Sequence, residues 1–144
     1  CIVDDHVILV NNATLGGHVH VGEWGIIGGL SAIHQFVRVG KHAMIGGMSG
    51  VEQDVIPYGS VTGNRARLQG LNIVGLKRRS FSRDDIHEMR KAYRLIFAAE
   101  GTMAERLEDV AEDFGNNEAV MDILQFIRAN TSRAICQPAM DDAA

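Results

Sequence analysis

Two short segments hold the residue types that acid/base chemistry needs: Gly16–Gly17–His18 and His34–Gln35–Phe36. A histidine takes or gives a proton near neutrality, and a glycine leaves its own N–H open to a developing oxyanion. Gln35 adds a neutral donor and a neutral acceptor. The segments lie 18 residues apart. Gly17 therefore sits under Gln35, and His18 under Phe36, in any fold that repeats at that interval. The plainer alternative is that each polar residue is a solvated corner. Metal binding is the other use of histidine. His6 and His42 are 36 apart, two repeats from one another, and His18 and His20 fall at other positions. That spacing gathers no tetrahedral donor set, so no metal is expected.

The elements that position these residues announce themselves as a beat of six. From Cys1, the third residue of each hexad is Val3, Leu9, Leu15, Val21, Ile27, Ile33, Val39, Ile45 and Val51. The fourth is often glycine: Gly16, Gly22, Gly28, Gly40 and Gly46. A short fixed period of this kind marks a parallel β-solenoid, in which each hexad is one strand and one corner and three hexads close a coil. The aliphatic column points inward. Glycine after it suits a corner with unusual backbone angles or little space. Residues one coil apart then stack about 4.8 Å from one another. Glycines 46 and 47 fall one coil above glycines 28 and 29, which leaves a strip free of side chains where an alkyl chain could lie.

The repeat covers residues 1–63, and its beat fails at Pro57–Tyr58–Gly59. Residues 64–80 read as an irregular connector ending in Lys77–Arg78–Arg79. Residues 81–136 read as an α-helical domain. Ser82 with Asp85 starts a helix carrying Ile86, Met89, Tyr93, Ile96 and Phe97, and Gly101 breaks it. Thr102 with Glu105 starts a second, closed by Gly115. A third spans about Asn117 to Arg128. The tail from Pro138 is expected to be loose.

Seven of the 14 lysines and arginines fall between Lys77 and Arg94, and eight acids follow between Glu100 and Asp122. A net charge of −4 and the lack of a binding motif argue against nucleic acid. No apolar run is long enough to span a bilayer, so no stable membrane insertion is expected. Two cysteines are too few for a disulfide framework and suit a reduced, cytoplasmic setting.

NNATLGGHVHVGEWGIIGGLSAIHQFVRVGKHAMIGGMSGV, the pair Gly63–Asn64, and NIVGLKRRSFSRDDI together resemble the UDP-N-acetylglucosamine acyltransferase family, which opens lipid A synthesis. The hexads alone are shared by many acyltransferases. GGH, IHQF and NIxGLKRR in this order are specific, and the resemblance covers nearly the whole chain.

The resemblance implies a left-handed parallel β-helix followed by an α-helical C-terminal domain, assembled as a homotrimer. It implies transfer of a 3-hydroxyacyl group from acyl carrier protein to the glucosamine 3-hydroxyl of UDP-N-acetylglucosamine, without a cofactor. Gly17 matches the backbone oxyanion donor. His18, His34 and Gln35 match substrate contacts. Asn72, Arg78 and Arg79 match the residues that hold the diphosphate, and arginine donors suit that group. The family's general base lies in a His-x-x-His-Asp-Cys segment whose cysteine matches Cys1. That base would stand two residues before Cys1 and stack beneath Gly17. Val74 departs from the acidic residue common in NIxGLKRR, which puts one nucleotide contact in doubt. Arg83, Arg90 and Arg94, at spacings of seven and four, share a helix face suited to the acidic carrier protein. Two alternatives remain at this stage. One is a silent hexapeptide module that serves only to trimerise. The other is the later N-acyltransferase of the same pathway.

Overall fold

The computed structural model describes residues 1–129 and 133–139. Two-residue strands recur every six positions: β1 Ile2–Val3, β2 Ile8–Leu9, β3 Thr14–Leu15, β4 His20–Val21, β5 Ile26–Ile27, β6 Ala32–Ile33, β7 Arg38–Val39, β8 Met44–Ile45 and β9 Gly50–Val51. Every third strand pairs in parallel with a register of 18: Ile2 with His20, Ile8 with Ile26, Thr14 with Ala32. Three narrow sheets result, β1-β4-β7, β2-β5-β8 and β3-β6-β9. Val21, Ile27, Ile33, Val39, Ile45 and Val51 form the sealed interior. The first hexad column fills the space between them with Val19, Val37, Ala43 and Val55.

The corners explain why this sequence tolerates so regular a coil. The sixth residue of the first eight hexads takes a left-handed backbone, with φ from 57° to 67° at His6, Asn12, His18, Trp24, Leu30, Phe36, His42 and Met48. None of these is glycine. The left-handed conformation costs an ordinary residue about 1–2 kcal/mol. From the second coil onward a hydrogen bond offsets that cost, since the N–H of Trp24, Leu30, Phe36, His42 and Met48 donates to the fifth-column carbonyl of the preceding coil. Examples are Trp24 to Asp5 (3.1 Å), Phe36 to Gly17 (2.9 Å) and His42 to Glu23 (2.8 Å). The fourth-column glycines answer a different need, close approach. A Cβ at Gly16 would stand 2.6 Å from the Gln35 nitrogen, and one at Gly28 would stand 2.5 Å from the Gly47 nitrogen.

The beat shortens before Pro57. Val39 bridges Val55 and Met44 pairs with Ser60, a register of 16. Asp54 occupies a corner position but makes no turn. Its carboxylate accepts from the Arg38 N–H and Nε, both at 2.9 Å. Its backbone bonds to Ala134 and Cys136 of the returning C-terminal segment. Arg38 also donates to the Phe126 carbonyl and lies over that ring. One clasp therefore joins coil, helix and C-terminal segment.

Residues 64–80 are not the irregular connector expected from the sequence. They contain β11 (Arg67–Leu71), antiparallel to β10 (Gly59–Thr62), and the short helix α1 (Ile73–Arg78). A five-residue strand with a bulge and a helix of six residues are too short to show periodicity. Helices α2 (Arg83–Ile96), α3 (Met103–Phe114) and α4 (Glu118–Arg128) begin at Ser82, Thr102 and Asn117, each side chain accepting from the backbone N–H three residues on. Only Thr102 forms the reciprocal box, with Glu105. Their buried faces carry Ile86, Met89, Ile96, Val110, Val120, Ile123 and Leu124. Pro138, placed in the tail, bridges Leu68. Residues 140–144 of that tail lie outside the described residues. No described helix is long and apolar enough to cross a membrane.

Candidate active site

The corner between the β3 and β1 sheets carries the first patch. His18 stacks flat on Phe36, with centroids 4.7 Å apart. Gly17 and Gln35 stand beside them, and Gly17 is exposed with nothing within 4 Å of where a Cβ would point. The Gly17 carbonyl is used by Phe36, whereas fifth-column N–H groups take no part in the ladder between coils. The Gly17 amide is thus open to a ligand. His34 lies at the same corner, and the Cys1 thiol donates to the Gly16 carbonyl at 3.1 Å just beneath. The stacking read from the 18-residue interval is the arrangement found.

The sequence did not reveal a cation at this patch. Arg133 returns on the C-terminal segment. It donates from Nε to the Gln35 carbonyl at 3.2 Å, and its terminal nitrogen meets Nδ1 of His34. Nearly a hundred residues separate these partners, so no local signal could have paired them.

The second group of candidates converges elsewhere. A cavity of about 500 Å³ opens on the β2-β5-β8 sheet, with Asn72, Val74, Arg78 and Arg79 on its wall and Ile26, Met44 and Ser60 on its floor. The N-terminus of α1 supplies the wall. Asn72 caps it, accepting from the Gly75 N–H at 3.1 Å and donating to the His42 carbonyl at 3.0 Å. Gly75 is required there because a side chain would strike the Asn72 amide. Arg79 closes α1 and lays its guanidinium over Trp24, 3.5 Å from the ring centroid. Val74 is exposed and offers no polar group.

Trp24 belongs to an aromatic corner unmarked by any motif. His6 stacks on Trp24 at 4.1 Å, Trp24 faces His42 at 6.4 Å, and His42 stacks on Tyr58 at 5.3 Å. Phe81 meets both His42 and Tyr58 edge-on. Burial holds the His42 imidazole below its ordinary range, helped by the Lys41 and Arg79 charges against the opposing pull of Glu23 and Asp122. Tyr58 donates to Asp122 at 2.8 Å, and burial with that carboxylate pushes its hydroxyl far up. Lys41 pairs with the same carboxylate at 3.0 Å, which ties α4 to this corner.

The two groups are not brought together within one chain. The β1-β4-β7 sheet separates their corners. Arg83 and Arg90 rim a cavity beside Lys77 and His87, floored by Ile73, Phe81 and Ile86. Arg90 and Arg94 border the next depression, near Gly70 and Tyr93. Among the described residues no three histidines, cysteines or carboxylates converge as a metal site.

Residues 54–136 match the family model described as Udp N-acetylglucosamine O-acyltransferase, Domain 2. The acyl-[acyl-carrier-protein]–UDP-N-acetylglucosamine O-acyltransferase of Caulobacter vibrioides is 56% identical over 138 residues, which cover 96% of this chain and 52% of that protein. Its counterpart from Agrobacterium fabrum is 44% identical over 139 residues, 96% of this chain and 51% of that protein. Among solved structures, an Arabidopsis UDP-N-acetylglucosamine acyltransferase superposes with TM-score 0.90 at 40% identity, over 95% of this chain and 51% of that one. A Campylobacter jejuni UDP-N-acetylglucosamine acyltransferase gives TM-score 0.88 at 38% identity, over 96% and 54%. The chain spans about half the length of the curated relatives it matches. Its fold is their left-handed parallel β-helix with a helical C-terminal part. The matched span holds the capped α1 wall with both of its arginines, the three helices and the returning segment. The chain therefore belongs to the UDP-N-acetylglucosamine O-acyltransferase family.

Proposed function

We propose that this chain contributes the sugar-nucleotide cavity and the oxyanion corner of a cytoplasmic, homotrimeric enzyme of lipid A biosynthesis. The enzyme transfers a 3-hydroxyacyl group from acyl carrier protein to the 3-hydroxyl of UDP-N-acetylglucosamine. The observation that carries the reading is the convergence of Asn72, Arg78 and Arg79 on one cavity of about 500 Å³. Two guanidinium groups from the C-terminal end of α1 suit a diphosphate. Arg79 keeps its stacking partner Trp24 while leaving N–H groups free at the edge, and Met44 and Ile26 suit the less polar parts of the ligand.

The chemistry follows from the open corner. The sugar hydroxyl attacks the thioester carbonyl and loses its proton to the histidine that the family resemblance implies as general base. The Gly17 N–H donates to the oxygen that becomes negative, His18 and His34 hold substrate hydroxyls, and the thiolate leaves. Because the corner and the cavity lie on opposite sides of one sheet, a threefold assembly can set the corner of one subunit against the cavity of the next. Arg83, Arg90 and Arg94 then steer the acidic carrier protein.

The test measures thiol release from a 3-hydroxyacyl carrier protein by an enzyme of the relatives' full length that contains this chain. Arg78→Ala with Arg79→Ala should raise the KM for UDP-N-acetylglucosamine at least about tenfold, as lost charged hydrogen bonds do, and leave that of the carrier nearly unchanged. Arg90→Glu with Arg94→Glu should do the reverse. Indifference of both substrates to both pairs overturns the reading.

A further inference from the structure

We infer that Arg133 is a positioning residue that selects the ring tautomer of His34, so that His34 presents a donor, and not an acceptor, to the substrate. The inference rests on the functional reading above for its consequence, but not for its geometry.

A guanidinium has donors only. Arg133 brings one of them to Nδ1 of His34 and its Nε–H to the Gln35 carbonyl at 3.2 Å. Nδ1 must then accept. The neutral ring carries its proton on Nε2, the nitrogen turned away from Arg133. The rival arrangement has Nδ1–H donating to the Gln35 carbonyl, but that separation is 3.4 Å, at the limit of a hydrogen bond. The carbonyl already receives the shorter bond from Arg133. Both acceptors on this edge are thus taken by one planar fork, which a lysine could not reproduce. Partners of this kind decide what the free nitrogen of a histidine can do.

The segment that delivers Arg133 is anchored by the residues that follow it. Ile135 bridges Asp54, Cys136 donates its N–H to the Asp54 carbonyl at 2.8 Å, and Pro138 bridges Leu68. Cys136 is fully buried, and burial raises its thiol to about 11. The C-terminal segment is therefore bonded into the last coil, and its arginine is set from the coil's own backbone.

The direct test needs no substrate. Ring nitrogen resonances of His34 in the 144-residue chain, assigned by their loss in His34→Gln, report which nitrogen bears the proton. The wild type should show it on Nε2. Arg133→Met should give a mixture of tautomers, and Arg133→Lys should restore Nε2 only in part. In the acyl-transfer assay Arg133→Met should lower kcat/KM for the sugar nucleotide about tenfold, the usual scale when the partner of a functional histidine is lost. It should have no further effect in a His34→Ala background, because the arginine acts through that ring. A proton on Nδ1 in the wild type, an unchanged pattern in Arg133→Met, or additive losses in the double variant each overturn the inference. The expected tautomer shift in a protein without acyl transfer supports this inference and overturns the functional reading instead.

Discussion

The corner of His18 and the cavity of Arg79 are built by opposite means. At the corner, repetition does the work. Each side chain stands where the hexad count puts it, and Phe36 lies over His18 because it is 18 residues on. At the cavity, repetition supplies only a floor, Ile26 and Met44. The walls come from β11 and α1, which obey no beat, and they are held by single contacts such as the Asn72 cap and the Arg79–Trp24 stack. A coil is a robust scaffold for an exposed patch, whereas a cavity requires an insertion that folds back over a flat face. The comparison also ranks where substitutions hurt.

The sharpest way to break it is to cut the clasp that joins the two constructions. Asp54 is sealed from solvent, and Arg38 is 20% exposed. Asp54→Ala removes the carboxylate partner of the guanidinium and should cost about 4 kcal/mol, the range found when one partner of a buried pair is removed. Denaturant unfolding monitored by circular dichroism measures it. A loss below about 1 kcal/mol would mean that the coil holds the C-terminal segment without the clasp.

Within the coil, two glycines only eleven positions apart should behave differently. Gly28→Ala forces a methyl against the backbone of the next coil and should cost about 2 kcal/mol. Gly17→Ala meets open space and should stay within about 0.5 kcal/mol. Equal costs would show that conformation, not contact, selects the glycine column.

The smallest effect is a pH slope from the aromatic corner. His42 is held below its ordinary value of 6.5, first by burial and then by Lys41 and Arg79. Unfolded, it takes a proton at its ordinary value. The unfolded chain thus binds more protons as pH falls below 6.5, and stability supplied by neutral His42 is present above that pH and lost beneath it. Chemical denaturation between pH 7 and about 5 should show a slope in the wild type that weakens in His42→Phe. Identical slopes would remove His42 as its source.

The coil was legible because a period is a long-range statement written locally. Nine aliphatics at one spacing announce β1 to β9, their pairings and the juxtaposition of Gly17 with Gln35. The helices were legible through Ser82, Thr102 and Asn117, whose caps lie within three residues of their partners. The connector was not. A bulged five-residue strand and a six-residue helix are too short to carry a period, and they form because β10 offers an edge and His42 a carbonyl.

Sequence alone determined the register, the inward column and the stacking of the first patch, since these follow from counting. Only the tertiary structure decided the role of Gly16 and Gly28, the turn lost at Asp54, the guanidinium laid on Trp24 and the arginine brought to His34. Each of these depends on what lies across a gap of 16 to 99 residues. Such contacts arise from the closing of the chain on itself, and no neighbouring residue records them.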